Sequence, residues 1–140
     1  MGSWELEVDN NPSPANNAVL REGIVSFNVS HLHERANHFS IFVRNEQKEI
    51  IGGATVWQHS DAMYIDILWF AEQYRRKSLG SRVIEELFKQ ARAKNINNIF
   101  VDTFDFQALD FYLKKGFVVI ARLEKFLLGH DRIYLKKVFE

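Results

Sequence analysis

The sequence contains no cysteine and only two prolines among its 140 residues. Without cysteine there is no disulfide framework, no thiolate metal site and no cysteine nucleophile. Neither sign of charge dominates, because 18 Lys and Arg balance 18 Asp and Glu to a formal net charge of zero. A protein that binds nucleic acid or an anionic membrane surface would need a basic excess, so we expect neither partner.

Long apolar runs are also missing, since none approaches the roughly 20 residues that span a bilayer. The N-terminus, Met1 to Glu7, has neither a basic start nor an apolar signal region. We therefore expect no membrane span and a cytoplasmic location. Hydrophobic residues make up 46% of the chain and charged residues 26%. That composition predicts a single globular domain over residues 1–140.

The hydrophobic patterns predict a mixed α/β domain whose central sheet is mostly antiparallel and contains one βαβ unit. Helices are expected at about 15–28, 80–94 and 107–115. The expected strands lie at 4–8, 39–43, 50–57, 63–70, 99–103, 117–121 and 133–138. The pattern of residues 63–70 predicts a strand that is buried on both faces. A loop over 9–17 and a polar connection over 31–38 flank the first helix.

A short basic loop joins strand 63–70 to helix 80–94. The first N–H groups of a helix have no backbone partner, and together with the helix dipole they attract anions. The loop adds three cations and three small residues, which are Arg75, Arg76, Lys77, Ser78, Gly80 and Ser81. This pattern favours a phosphate site. The alternative is a tight turn with solvated basic side chains.

A second motif follows about thirty residues later. The two segments, Arg75-x-x-Ser78-x-Gly80 and Phe111-Tyr112-x-x-x-Gly116-Phe117, resemble the acetyl-CoA loop and the later helix of the GNAT (Gcn5-related N-acetyltransferase) family. The resemblance covers residues 39–138 well and the first 38 loosely. Ser78 replaces a family glycine and is expected to keep a negative φ. Gln107 stands where many members have asparagine.

The resemblance implies the GNAT fold and an enzyme that transfers acetyl from acetyl-CoA to an amine in a ternary complex, without a metal. It also implies that the strand 63–70 diverges from its neighbour to hold the thioester. The residues that it assigns to the coenzyme are Leu68, Trp69, Phe70, Arg75, Arg76, Lys77, Ser78, Leu79, Gly80, Ser81, Gln107 and Phe111. Two alternatives remain open: a non-catalytic CoA-binding module, and an acetyltransferase for protein lysines or N-termini.

Tyr112 is the candidate general acid toward the coenzyme sulfur, an assignment that depends on the resemblance. A phenol has an ordinary pKa near 10 and carries its proton at neutral pH. Without the resemblance, Tyr112 would read as a core tyrosine on an amphipathic helix.

Asp66 is the candidate general base. In a regular strand it shares a face with Tyr64 and Leu68. A carboxylate in a largely apolar strand needs a charged partner or is driven toward its neutral form. The alternative role for Asp66 is a plain ion pair with a nearby arginine.

Acidic residues gather near the inferred reaction centre: Asp66, Asp102 and Asp105, with Glu22 from the first helix. Their charge predicts a small cationic or zwitterionic amine as the acceptor, such as an amino acid, a polyamine or an aminoglycoside-like molecule. The alternative is that Asp105 caps the following helix.

Three histidines, His31, His33 and His38, lack carboxylates at ligand spacing, so we expect no metal site. A solvated or substrate-facing loop is the preferred interpretation. The sequence assigns no role to His130. A homodimer is expected because it is the usual pattern in such folds.

Overall fold

The computed structural model describes residues 2–139. The chain divides into two compact units, residues 1–35 and 36–140. Among the described residues no helix has both the length and the apolar character that a membrane crossing requires.

The first unit contains one helix, α1 (Pro14–Leu32). The Ser13 side chain caps it by accepting the N–H of Asn16, and proline at the first helical position fits because its missing N–H has no partner there. The predicted helix is confirmed, and it extends further than expected. The predicted strand over residues 4–8 is wrong, since residues 2–13 form no strand.

Apolar spacing in α1 predicted the helix correctly, but the apolar side chains are exposed. Val19, Leu20, Ile24 and Phe27 all remain more than half exposed. The helix ends at His33, which takes φ 63° and donates its N–H to the carbonyl of Val29 at 2.7 Å. The polar connection expected over 31–38 is therefore much shorter.

The second unit is built on a six-stranded sheet. Its strands are β1 (Asn37–Arg44), β2 (Ile50–His59), β3 (Ala62–Phe70), β4 (Asn98–Phe104), β5 (Val118–Leu127) and β6 (His130–Val138). They lie in the order β1-β2-β3-β4-β6-β5. All neighbours are antiparallel except β3 and β4, which are parallel. The prediction of a mixed, mostly antiparallel sheet with one βαβ unit is confirmed.

Helix α2 (Leu79–Ala93) connects the two parallel strands. Its predicted apolar stripe is buried, as are the inward residues of the sheet, so one core forms between them. The buried stripe consists of Val83, Ile84, Leu87, Phe88 and Ala91. Asn95 takes φ 57° after the helix, and Ile96 donates its N–H to the carbonyl of Ala91. Asn95 therefore ends α2 as predicted.

Helix α3 (Leu109–Lys114) is shorter than the predicted 107–115. Gly116 takes φ 91°, and the N–H of Phe117 donates to the carbonyl of Tyr112 at 3.0 Å. This is the left-handed C-terminal cap that the sequence predicts. Any larger residue here would be strained, and its Cβ would lie 2.5 Å from the Lys137 ammonium.

The last two strands form a longer hairpin than predicted. A two-residue turn joins them, in which Leu128 and Gly129 take φ 49° and 79°. Such turns match the twist of antiparallel strands, so pairing continues up to the turn. The strands predicted at 117–121 and 133–138 extend to Leu127 and back to His130.

Strand β3 contains a bulge at Asp66. Val56 of β2 lies opposite Ile65 and Thr55 lies opposite Ile67, so Asp66 is an extra residue. Before the bulge the buried side chains are at odd positions, such as Ile65, and after it they are at even positions, such as Phe70. Strand 63–70 is therefore not buried on both faces, contrary to the prediction.

Candidate active site

Strands β3 and β4 diverge in the middle of the sheet. Their parallel pairing joins residues 62–65 to residues 98–101 and goes no further, although β3 continues to Phe70 and β4 to Phe104. Past Ile65, the edge of β3 that faces β4 has no strand partner in the described chain. Backbone N–H and C=O groups on that edge are free to bind another molecule.

A loop of unusual backbone conformation connects β3 to α2. It begins with a 3₁₀ turn (Glu72–Tyr74), and then Arg76 and Ser78 take φ 59° and 62°. The expectation of a negative φ at Ser78 is wrong. Successive left-handed and right-handed residues turn neighbouring N–H groups into a concave anion-binding surface. Ser78 thus takes a conformation that favours the glycine usual at this position in the family.

The N-terminus of α2 faces the same region. No side chain caps it, so the N–H groups of Leu79, Gly80 and Ser81 have no capping partner. At Gly80 an added Cβ would lie 3.4 Å from the Phe111 ring. Backbone conformation does not require glycine at this position, and a Cβ would lie in ordinary van der Waals contact with the ring.

Arg75 connects the loop to the strand before it. Its Nε donates to the carbonyl of Phe70 at 2.9 Å, which fixes the end of β3 against the loop. Part of its guanidinium therefore has a structural role. The remaining N–H groups add positive charge beside the α2 N-terminus.

These elements enclose a cleft of about 750 Å³, which we call the loop cleft. Eleven of the twelve predicted coenzyme residues line it, and only Lys77 does not. The prediction did not include the other lining residues, which are Tyr74, Asp105, Ala108, Leu109 and Asp110. The structure thus brings two segments, thirty residues apart in the chain, to the same cleft.

A second cleft of about 280 Å³, the strand cleft, lies where β3 and β4 diverge. Both candidate catalytic residues, Tyr112 and Asp66, line it. The two clefts share Leu68, Trp69, Gln107 and Ala108. A molecule held in the loop cleft can therefore reach the strand cleft past these shared residues.

Tyr112 is almost fully buried beside Phe111 and Phe117, whose rings it meets edge-on. Its hydroxyl has no hydrogen-bond partner among residues 2–139. Burial, with a smaller effect from the Asp102 charge, raises the pKa of Tyr112 to about 12. The phenol therefore keeps its proton throughout the physiological range.

Asp66 is exposed, and within residues 2–139 it makes no ion pair or hydrogen bond. The expected charged partner is absent because the bulge allows the carboxylate to remain in water. The bulge also breaks the alternation on which the prediction of a shared face with Leu68 depended. Leu68 packs against the core instead.

Asp102 makes the ion pair that the sequence analysis considered for Asp66. It accepts hydrogen bonds from the Arg132 guanidinium and from the Tyr64 hydroxyl. Burial lowers the pKa of Arg132, but the Asp102 hydrogen bond and charge more than offset this and raise it. Burial and the Asp102 hydrogen bond raise the pKa of Tyr64. Sequence reasoning did not identify Arg132, which joins this network only through the pairing of β4 with β6.

Asp105 does not cap α3, which has no side-chain cap. Its carboxylate accepts the N–H of Asp131 at 2.8 Å, and its other oxygen lies 2.8 Å from Nδ1 of His130. The Asp131 N–H is the main reason that the pKa of Asp105 is lowered; burial opposes this shift and the His130 contact adds to it. Asp105 therefore holds the β5–β6 hairpin against the end of β4.

Gln107 uses its carbonyl oxygen within the protein. That oxygen accepts the N–H of Phe104 at 2.7 Å and the Thr103 hydroxyl at 3.2 Å. The amide therefore shapes the turn between β4 and α3. Its NH₂ group has no described hydrogen-bond partner and remains available on the lining of both clefts.

The residues that line these clefts do not include the remaining sequence candidates. Glu22 pairs with Arg35 inside the first unit at 3.2 Å. His31 packs on Phe27, and His33 ends α1. Within residues 2–139 no three His, Cys, Asp or Glu side chains are arranged to hold a metal ion.

Comparisons with known proteins agree with this geometry. Residues 4–117 match the model of the acetyltransferase (GNAT) family. Acetyltransferase Atu2258 from Agrobacterium fabrum is 23% identical over 122 residues, which are 86% of this chain and 89% of that protein.

Solved structures share the fold. An acetyltransferase from Bacillus cereus superposes with a TM-score of 0.78 at 26% identity, covering 95% of this chain and 98% of that one. A Bacillus anthracis protein, provisionally described as a streptothricin acetyltransferase and solved with acetyl coenzyme A, gives 0.66 at 22% identity over 74% of this chain and 64% of that one. With the family matched over most of its length, the chain belongs to the GNAT family of acetyltransferases.

Proposed function

We propose that this protein transfers acetyl from acetyl-CoA to the primary amine of a small cationic or zwitterionic molecule, by direct attack in a ternary complex. The continuity of the loop cleft with the strand cleft carries the proposal. One side of this continuous space offers an anion site, and the other offers a phenol and a free carboxylate. A transferase that joins a phosphate-bearing donor to a charged acceptor needs both.

The anion site suits the pyrophosphate of the coenzyme. It combines the N–H groups of Leu79, Gly80 and Ser81 with the positive end of α2. Arg75 and Arg76 add positive charge on the cleft lining. Lys77 lies outside the lining, so we assign it to long-range attraction of phosphate and not to a direct contact.

The diverging edge of β3 suits the pantetheine arm and the thioester. Leu68, Trp69 and Phe70 lie on the lining of the loop cleft, past the last residue that pairs with β4. Free N–H groups on this edge can donate to amide carbonyls of the arm and to the thioester oxygen, where negative charge develops.

Tyr112 acts on the leaving sulfur, and Asp66 acts on the acceptor amine. The amine nitrogen, once neutral, attacks the thioester carbon; a C–N bond forms and the C–S bond breaks. Tyr112 donates a hydrogen bond to the sulfur as it gains negative charge. Asp66, unpaired and exposed in the strand cleft, attracts the ammonium form of the acceptor. One proton is released overall for each acetyl transferred.

A thiol-release assay tests this proposal. Purified protein and acetyl-CoA are mixed with a panel of polyamines, amino acids and amino sugars, and mass spectrometry identifies the acetylated product. We expect thiol release that depends on a primary amine and stops with the matching tertiary amine. If the protein binds acetyl-CoA but acetylates no amine, the proposed function is wrong. If its best acceptor is anionic, the argument from Asp66 is wrong.

The cytoplasmic location and the homodimer remain predictions from the sequence. Fractionation and light scattering, respectively, test them.

A further inference from the structure

His130 begins β6 and lies next to the end of β4. Its Nδ1 is 2.8 Å from Oδ1 of Asp105, and its side chain is 49% exposed. A neutral imidazole whose Nδ1 faces a carboxylate carries its proton on that nitrogen, so Nε2 keeps its lone pair. Among the described residues, Nε2 has no hydrogen-bond partner. The ring is thus oriented as a base with its basic nitrogen available.

The carboxylate that orients this ring is itself held firmly. Oδ2 of Asp105 accepts the N–H of Asp131 at 2.8 Å, and the Asp105 N–H donates to the Asp131 carbonyl at 3.0 Å. On its other side, the His130 ring meets Phe106 edge-on, with 4.8 Å between centroids. Hydrogen bonds and packing together fix the direction of the imidazole.

The position of this pair relates it to both clefts. Asp105 lines the loop cleft. Arg132 lies two residues beyond His130 on the same face of β6 and lines the strand cleft. His130 itself lines neither cleft; it contacts Asp105 on the lining of the loop cleft and precedes Arg132, on the lining of the strand cleft, by two residues.

We propose that His130 is the general base of the acetyl transfer, with Asp105 as its positioning residue. The inference rests on the proposed function. Nε2 takes one proton from the acceptor ammonium through water, which leaves the amine lone pair free to attack the thioester carbon. The imidazolium, stabilised by Asp105, then releases this proton to solvent. The amine nitrogen loses its second proton to solvent as the C–S bond breaks, and the departing thiolate takes one proton from solvent. An imidazole is a stronger base than a carboxylate, which favours His130 over Asp66 for this proton transfer.

Other charges near this segment are largely paired with each other. The Asp131 carboxylate accepts from Arg122 at 2.9 Å and from the Lys125 N–H at 3.0 Å. Arg132 pairs with Asp102. Asp105 is therefore the one carboxylate in direct contact with His130 among the described residues.

The test compares two variants by the pH dependence of kcat/KM with the best amine found. His130→Gln keeps an N–H that can donate to Asp105 but cannot accept a proton. Arg122→Gln is the matched control, because it removes a side chain of the same hairpin that contacts neither cleft. For the wild type we expect kcat/KM to rise with pH, because only a neutral base can accept a proton. His130→Gln should lower kcat/KM by roughly 10²–10⁴-fold and abolish this rise. Arg122→Gln should preserve both.

Two further measurements separate catalysis from a purely structural role. Imidazole added to His130→Ala should restore activity in proportion to its concentration. In the wild type, ¹⁵N NMR of the ring should show the neutral tautomer protonated at Nδ1. An unchanged pH profile in a folded His130→Gln protein, or a proton on Nε2, would overturn the assignment of His130 while leaving the transferase proposal intact. If the wild type acetylates no amine, the proposed function fails, and this inference fails with it.

Discussion

Replacement of Tyr112 by phenylalanine removes the proposed hydrogen-bond donor to the sulfur and little else. The hydroxyl has no hydrogen-bond partner among residues 2–139, and the ring contacts with Phe111 and Phe117 persist. We therefore expect the free energy of unfolding to change by less than about 1 kcal/mol. The affinity for CoA, measured by calorimetry, should also stay within about threefold of the wild-type value.

The raised pKa sets the size of the kinetic effect. With a pKa of about 12, roughly one Tyr112 phenol in 10⁵ is ionised at pH 7. A thiol has an ordinary pKa near 8.5, so complete proton transfer from this phenol to a free thiolate is uphill by about 5 kcal/mol. The thiolate should therefore leave hydrogen-bonded to Tyr112 and take its proton from solvent.

A hydrogen bond to a charged group contributes about 1.5–3 kcal/mol, so Tyr112→Phe should lower kcat by roughly 10- to 150-fold. Stopped-flow detection of the released thiol, at saturating acetyl-CoA and amine, measures this. Tyr134→Phe, outside both clefts, is the control and should stay within about twofold of wild type. An unchanged kcat in Tyr112→Phe would show that Tyr112 has a structural role only. A loss above about 10³-fold in a folded protein would refute the hydrogen-bond argument and indicate full proton transfer.

Three further predictions concern the remaining site residues. Gly80→Val should abolish CoA binding in calorimetry, because its side chain crowds the α2 N–H groups and Phe111. Ser78→Gly should bind CoA normally, because φ 62° suits glycine. Normal CoA binding by a folded Gly80→Val protein would show that the phosphate site is not at this helix N-terminus. Asp66→Asn should raise KM for the amine about tenfold with kcat nearly unchanged, and an unchanged KM would exclude Asp66 as the anchor. A carboxyl whose pKa is lowered by folding adds stability above its unfolded pKa, and this stability is lost as the pH falls. Thermal melts should therefore show a smaller loss of Tm between about pH 5 and 3 in Asp105→Asn than in the wild type, and equal losses would show that Asp105 does not contribute.

The spacing of apolar residues and the helix-ending residues predicted those parts of the fold that depend on interactions between near neighbours in the chain. The apolar stripe of α2 follows from spacing alone, and the ends of α2 and α3 follow from Asn95 and Gly116, which tolerate positive φ. In both cases the physical cause lies within a few residues of its effect. The meeting of Arg75 and Gly80 with Phe111 in one cleft was expected from the family resemblance instead, because these segments lie about thirty residues apart.

Features that depend on strand pairing were not predictable in this way. The partner of Asp102 is Arg132, 30 residues later, and the partner of Asp105 is His130, 25 residues later. Both pairs exist because β4 and β6 lie side by side. The predicted strand at 4–8 failed for a related reason, since an apolar alternation forms a strand only where a neighbouring strand accepts it.

The bulge at Asp66 makes the site sensitive to the number of residues in β3. Deletion of this one residue would make the pairing with β2 continuous, because Thr55 already lies opposite Ile67 and Val56 opposite Ile65. The rest of the strand would keep its faces, with Leu68 and Phe70 toward the core and Ile67 and Trp69 about half exposed. A substitution at Asp66 changes only the side chain, whereas a deletion would also remove the bulge from the wall of the strand cleft. An engineered library of this enzyme should therefore vary the residue type at position 66 and keep the length of the strand fixed.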